Sequence, residues 1–337
     1  MGHLFDKLLR WLIVWGFALL LAGGAHAADL AVAGVPVALG KSRDYFNIFT
    51  ALREAGVTVY FPTSQYLEHP TPKSLGTEPD FLTPCSPDSP AFDALRRSGM
   101  RLIVSGDFLY ARGADLPPLS RDPLRQIIDC AGRDHVYGVL SYDEPVSSGA
   151  TLDNVSELFD RVKKIDPTLP VLMVHAPIIL DMPEFATLDG QTDYLKKVKS
   201  YSRFADVVGF DVYPVNKEIA KLGTPSSEGA FADHAAAIKD YMRWLRNSIP
   251  DRGYFMVLQG FSYVDQFEPQ FLRGIAPEEV LATVRAPNLE ETMEMAQLSI
   301  DGGAELLVWW GVSFQKDDTS QIWRDILKTT RAISDAP

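Results

Sequence analysis

Short apolar runs alternate with amphipathic stretches along nearly the whole chain. Leu30 to Val37 reads as a strand. Asp44 to Ala55 reads as a helix, ended by Gly56. Val57 to Phe61 is a second strand, cut by Pro62. Ala91 to Ser98 is a helix closed by Gly99. Arg101 to Ser105 is a strand ending in Gly106-Asp107-Phe108, which puts Asp107 at its end, and Pro123 to Ala131 is a helix stopped by Gly132. The unit then repeats. Strands are expected at Val136 to Ser141, Pro170 to Val174, Val207 to Phe210, Tyr254 to Leu258 and Leu306 to Trp310. Helices are expected at Leu152 to Ile165, Asp193 to Phe204, Phe231 to Ser248, Leu289 to Ile300 and Ser320 to Ser334.

The pattern amounts to eight strand–helix pairs. Each return to a parallel strand needs a crossover, usually a helix, so the alternation predicts a parallel sheet. Eight units of this size predict a closed (β/α)8 TIM barrel in a single domain spanning residues 28–337. The competing architecture is an open doubly wound sheet. It would carry a Gly-x-Gly-x-x-Gly turn after the first strand, where this chain has Gly40-Lys41-Ser42. Three connections are too long for plain turns: Thr63 to Pro90, Val215 to Gly229 and Ser262 to Pro287. All follow strands, so they are expected as walls of the barrel mouth.

Residues 1–27 stand apart. Lys7 and Arg10 precede an apolar run from Trp11 to about Ala22, followed by Ala25-His26-Ala27. A run of about a dozen apolar residues is shorter than the ~20 needed to span a bilayer. The pattern predicts a cleaved signal peptide, hence a periplasmic or secreted protein with no stable membrane span after cleavage. The formal charge of −12 becomes −13 once Asp6, Lys7 and Arg10 are removed, a net +1. Such an acidic chain disfavours nucleic acid and anionic membranes as partners, and suits a neutral ligand. The two cysteines, Cys85 and Cys130, are expected to form a disulfide in an oxidising compartment. With neither Cys-x-x-Cys nor His-x-x-x-His spacing and no phosphate-binding glycine turn, no metal and no cofactor are expected.

Candidate chemistry lies at four strand ends: Ser141-Tyr142-Asp143-Glu144-Pro145, Phe210-Asp211-Val212-Tyr213-Pro214, Leu258-Gln259-Gly260 and Trp309-Trp310-Gly311. Parallel barrels carry their chemistry at that end. Converging acids and aromatics there point to a carbohydrate site. A Glu delivers a proton to a glycosidic oxygen, and apolar neighbours such as Tyr142 keep it protonated. Adjacent Trp309 and Trp310 must point to opposite faces of the sheet, and an inward Trp310 offers a flat face for a sugar ring. Asp107, Tyr142, His175, Tyr213, Gln259 and Trp310 are the expected substrate-binding residues. Asp143, Glu144 and Asp211 are the expected catalytic ones.

Asp143-Glu144-Pro145 resembles the glycoside-hydrolase barrels. In the largest barrel clan of retaining glycosidases the fourth strand ends in Asn-Glu-Pro or a close variant. The resemblance implies hydrolysis of an oligo- or polysaccharide with Glu144 as general acid. It departs at strand seven, where that clan's nucleophilic Glu is replaced by Gln259, and an amide cannot attack an anomeric carbon. Three routes stay open. In the first, Asp211 serves as nucleophile or base. In the second, the substrate's own acetamide attacks, oriented by Asp143 as in barrels of the chitinase and hexosaminidase type, although their Asp-x-x-Asp-x-Asp-x-Glu string is absent. Or chemistry has been lost and the protein is a non-catalytic glycan-binding barrel in exopolysaccharide handling.

Overall fold

The computed structural model describes residues 28–64, 76–110, 112–113, 115–226, 229–267 and 269–336. The expected signal peptide lies outside them. Eight strands are all parallel: β1 Asp29–Ala33, β2 Val59–Phe61, β3 Arg101–Ser105, β4 Val136–Leu140, β5 Val171–His175, β6 Val207–Val212, β7 Gly253–Gln259 and β8 Ala304–Trp310. They close in the order β1-β8-β7-β6-β5-β4-β3-β2, with Leu30 beside Leu307 and Val32 beside Trp309 at the seam. The chain is a (β/α)8 barrel.

Alternation along each strand divides the core into two shells. Ala31, Val59, Ile103, Leu172, Phe255 and Val308 fill the barrel interior. Their neighbours Leu30, Tyr60, Leu102, Met173, Met256 and Trp309 face the helices. Burying such side chains is worth ~1.5–3 kcal/mol each. The helices turn apolar faces to that outer shell, as Leu152–Ile165 does with Val155, Leu158 and Val162. Gly209 lies on the inner face of β6. A Cβ there would come within 2.3 Å of the Phe255 carbonyl oxygen, so glycine permits close approach of β6 to β7 beneath Asp211. At the amino-terminal end of the barrel, Asp29 pairs with Arg101, whose guanidinium lies 4.9 Å from the Tyr137 ring centroid.

Two expectations need correction. The first strand does not run to Val37. Gly34 turns the chain at φ 75, and a short helix occupies Val37–Ser42. A Cβ at Gly34 would lie 2.4 Å from the Thr63 carbonyl oxygen, so the tight passage needs glycine. Asp107 does not end a strand, but sits in the short helix Gly106–Leu109 that follows β3.

The long connections all leave carboxyl ends of strands. The loop after β2 carries a two-residue ribbon pairing Thr63–Ser64 with Gly76–Thr77. The loop after β7 carries helices Tyr263–Gln266, Pro269–Ile275 and Glu278–Leu281. Cys85 and Cys130 are disulfide-bonded with Cα atoms 6.4 Å apart, tying the loop after β2 to the helix Pro123–Ala131. Closing 45 residues of chain restricts the unfolded state, so replacing both cysteines by alanine is expected to cost about 4 kcal/mol in the chain-entropy view. Urea denaturation of the double variant checks this, and an unchanged midpoint would refute it.

Candidate active site

The turn after β4 presents Asp143 and Glu144 to the barrel mouth. Glu144 adopts φ 41 immediately before Pro145. Left-handed backbone is unfavourable for a residue with a Cβ, and a following proline restricts it further. Strain of this kind costs on the order of 1–3 kcal/mol and persists where neighbours hold it. Here they do. The Glu144 carbonyl accepts hydrogen bonds from Ser147 and Ser148 N–H at 2.9 and 2.8 Å. Ser148 Oγ donates to the Asp143 carbonyl at 2.7 Å, and Asp143 N–H donates to Asp107 Oδ2 at 2.7 Å. Arg112 completes the brace. It donates to Asp107 Oδ1 through Nε and Nη2 at 3.2 and 3.1 Å and to the Ser148 carbonyl at 2.9 Å, 5.0 Å from the Tyr142 ring centroid.

Asp211 projects inward from β6 and is 8% exposed. Its Oδ1 has no hydrogen-bond partner among the described residues. Glu144 lines the same cavity, and protonating Asp211 relieves the repulsion between the two acids. Burial pushes the Asp211 pKa well above the usual carboxylate range, and the charge and hydrogen bond of Glu144 add to it, followed by the charge of Asp143. Asp143 is also raised, by the enclosing protein first and then by Glu144 and Asp107, against the opposing pull of Arg112. Its side chain still reaches solvent through the mouth, which tempers the effect of enclosure.

These acids line a cavity of about 210 Å³ with Tyr213, Gln266 and Trp310 among its walls. Apolar barrel residues, including Leu172 and Phe255, form its floor. Trp310 faces inward as alternation requires and packs against Phe61 with ring centroids 6.4 Å apart. Tyr213 packs edge-on against Phe261 at 5.1 Å. Burial, then the charges of Asp211 and Glu144, hold its phenol well above the usual range, so it stays a neutral donor. A second cavity of about 220 Å³ adjoins the first. It shares Phe61, Leu140, Asp143, Gln266 and Trp310, and adds Asp107, Phe108 and Phe314.

The structure thus brings Asp107, Asp143, Glu144, Asp211, Tyr213 and Trp310 to one mouth. Three other expected residues lie elsewhere. His175 is fully buried on the outer face of β5, because Leu172 and Val174 take the inner face. Its Nε2 lies 3.1 Å from Ser202 Oγ, and burial lowers its pKa to about 3, leaving it neutral. Tyr142 is 4% exposed and packs in the outer shell under Arg112, away from both cavities. Gln259 is fully buried and lines neither cavity. Its Oε1 accepts from Val215 N–H at 2.9 Å while Nε2 donates to the Phe261 carbonyl at 3.1 Å. This joint needs a donor and an acceptor. An ionised Glu could not donate and would place a charge in the core.

Gln266, Phe61, Phe108, Phe314 and the Arg112 brace were absent from the sequence-based site. Phe61 was visible as the last residue of an apolar run. The others lie in connections whose spatial placement has no local periodic signal. Among the described residues, no group of three or more His, Cys, Asp or Glu side chains is arranged to hold a metal ion, and no helix is long and apolar enough to cross a membrane.

No protein-family model and no curated protein sequence matches the chain. Solved structures do. A β-galactosidase from the psychrophilic Marinomonas ef1 aligns with a TM-score of 0.51 at 10% identity, over 91% of this chain and 59% of that one. An exo-β-1,4-mannosidase, Op5Man5, from Opitutaceae bacterium strain TAV5 aligns with a TM-score of 0.47 at 14% identity, over 93% and 61%. A tryptophan synthase from Mycobacterium tuberculosis aligns with a TM-score of 0.47 at 10% identity, over 93% and 95%. The chain therefore spans about three-fifths of the two glycosidases. The galactosidase match supports a shared barrel fold; a barrel alone does not specify a reaction.

Proposed function

We propose that the protein is a glycoside hydrolase acting on an oligo- or polysaccharide in the periplasm or outside the cell. One observation carries the reading: Asp143, Glu144 and Asp211 line one cavity walled by Trp310 and Tyr213. Burial and the neighbouring acids hold the Asp211 pKa well above the usual carboxylate range, which keeps a proton in the site for transfer to a glycosidic oxygen. Glu144 is assigned its delivery. Trp310 stacks on the sugar and Tyr213 donates to it. The disulfide and the expected signal peptide suit an oxidising compartment.

Strand seven offers no carboxylate nucleophile, since the Gln259 amide is committed to the Val215 and Phe261 backbone. The nucleophile is assigned to the substrate's 2-acetamido group, with Asp143, beside Glu144 in the same turn, orienting it. Matched aryl glycosides with and without that group test this assignment. The N-acetylated series is expected to turn over at least ~10²-fold faster, the scale of one well-placed catalytic group. Equal rates would exclude acetamide participation.

A second reading, a non-catalytic glycan-binding barrel, is favoured by Gln259. Its amide is committed to the backbone, so strand seven supplies no carboxylate to the mouth. Under this reading, glycans bind without turnover and Trp310→Ala abolishes binding.

A further inference from the structure

Among the described residues, the two cavities at the mouth are lined by four carboxyls, Asp107, Asp143, Glu144 and Asp211, and by no lysine, arginine or histidine. The cation set against them is Arg112, in the connection after β3. Its fork reaches both oxygens of Asp107 and the Ser148 carbonyl, and its guanidinium lies over the Tyr142 ring. Both contacts lead to one residue. Asp107 Oδ2 accepts the Asp143 N–H at 2.7 Å, and Ser148 Oγ donates to the Asp143 carbonyl at 2.7 Å. The peptide groups on either side of the Asp143 side chain are thus both held from Arg112. Stability does not account for the arrangement. The Arg112 and Asp107 side chains are 31% and 25% exposed, and ion pairs so open to water contribute little. Position and charge remain. The Asp143 pKa is pushed up to about 7, by burial first and then by Glu144 and Asp107, and Arg112 opposes the rise. Asp211 and Tyr213, which face it from β6, are themselves held protonated by burial.

We propose that Arg112 is a positioning residue of the mouth: acting through Asp107 and Ser148 it fixes Asp143, and its charge favours the ionised form of that carboxyl near neutral pH. The role follows from the chemistry assigned to Asp143. Orienting a 2-acetamido group requires an acceptor for its N–H. A carboxylate accepts with both oxygens, whereas a protonated carboxyl presents an O–H on one of them. An ionised Asp143 and a protonated Asp211 then work in a single mouth, set apart by what faces each. The consequence for catalysis rests on the reading of the mouth as a glycosidase site; the control of Asp143 by Arg112 does not.

Two variants separate charge from geometry. Arg112→Gln removes the charge. Arg112→Lys keeps it, but a single nitrogen lacks the fork that spans Asp107 and Ser148. Carboxyl carbons of the intact protein, followed by NMR across a pH titration, report ionisation without any substrate, and Asp143→Asn identifies the Asp143 signal. The Asp143 midpoint should rise by about one pH unit in Arg112→Gln, the lower range for a lost neighbouring charge, and stay near that of the parent in Arg112→Lys. On the best acetamido glycoside, kcat should fall about tenfold or more in both variants with KM little changed, as misplacement of a catalytic group does. The acid limb of the pH–rate profile should move to higher pH in Arg112→Gln alone. Unfolding midpoints of both variants should stay close to that of the parent. A large drop in either would make the pair structural and overturn the inference, as would an Asp143 midpoint unmoved by Arg112→Gln. If that midpoint moves as expected but the parent protein hydrolyses nothing, the control of Asp143 by Arg112 stands and the hydrolase reading falls. Hydrolysis that is equal in the parent and both variants gives the reverse.

Discussion

Replacing Glu144 by Gln is expected to lower glycoside hydrolysis by about 10²–10⁴-fold, the loss that follows removal of a positioned general acid. The amide nearly preserves the shape of the acid but cannot supply the proton. The Ser147 and Ser148 hydrogen bonds to the backbone carbonyl are independent of the side chain and should keep the strained turn in place. The change also removes one charge facing Asp211 and Asp143, so stability should hold or rise. Initial rates on the best substrate, with a melting curve of the same preparation, measure both effects. Parent-like turnover by a folded variant would show that Glu144 is not the acid.

Asp122→Ala is expected to cost about 3–5 kcal/mol of stability, because it leaves a buried arginine without its counter-charge. The Asp122 side chain is fully buried, with Arg161 at 10% exposure and 2.5 Å away. The same carboxylate caps the helix Pro123–Ala131 through Leu124 N–H at 2.9 Å and accepts the Tyr110 hydroxyl at 2.7 Å. Arg161 donates a further bond to the Pro117 carbonyl, which fastens the connection after β3 to the helix Leu152–Ile165. Asp122→Asn can retain the cap and the tyrosine bond, so it should cost less. Chemical denaturation of parent, Asn and Ala forms provides the comparison. A loss under ~0.5 kcal/mol for alanine, the range of ordinary surface changes, would contradict this assignment.

The barrel was legible because each strand is a short apolar run and each helix carries a start or stop signal. Arg101–Ser105, Pro123–Ala131 and Leu152–Ile165 lie where the pattern put them. The direction in which a side chain points was less legible. Val171-Leu172-Met173-Val174-His175 is apolar on both faces, as strands buried on both sides are, so alternation alone could not phase His175. The carboxyls at Asp143, Glu144 and Asp211 could be named from strand ends, yet their convergence on one cavity joins β4 and β6 across an intervening strand. Barrel closure and register set that convergence, and neither is written locally. Gln259 shows the same limit from the other side. It occupies the expected strand end, but its partner is the Val215 backbone, 44 residues away. Gln266 and Phe108 reach the mouth from long or irregular connections that carry no period.

The central claim is that the raised proton affinity of Asp211 sustains the acid function of the mouth, and the pH–rate profile of Asp211→Asn tests it most directly. In the parent, burial and then the neighbouring Glu144 and Asp143 hold the Asp211 pKa well above the usual carboxylate range, so activity should persist through neutral pH and fall as pH rises through it. In the variant that titrating group is gone. The alkaline fall should therefore move to lower pH, with activity near neutrality reduced. A variant whose alkaline limb coincides with that of the parent would contradict this role of Asp211, and a parent that turns over no glycan at any pH would contradict the hydrolase itself.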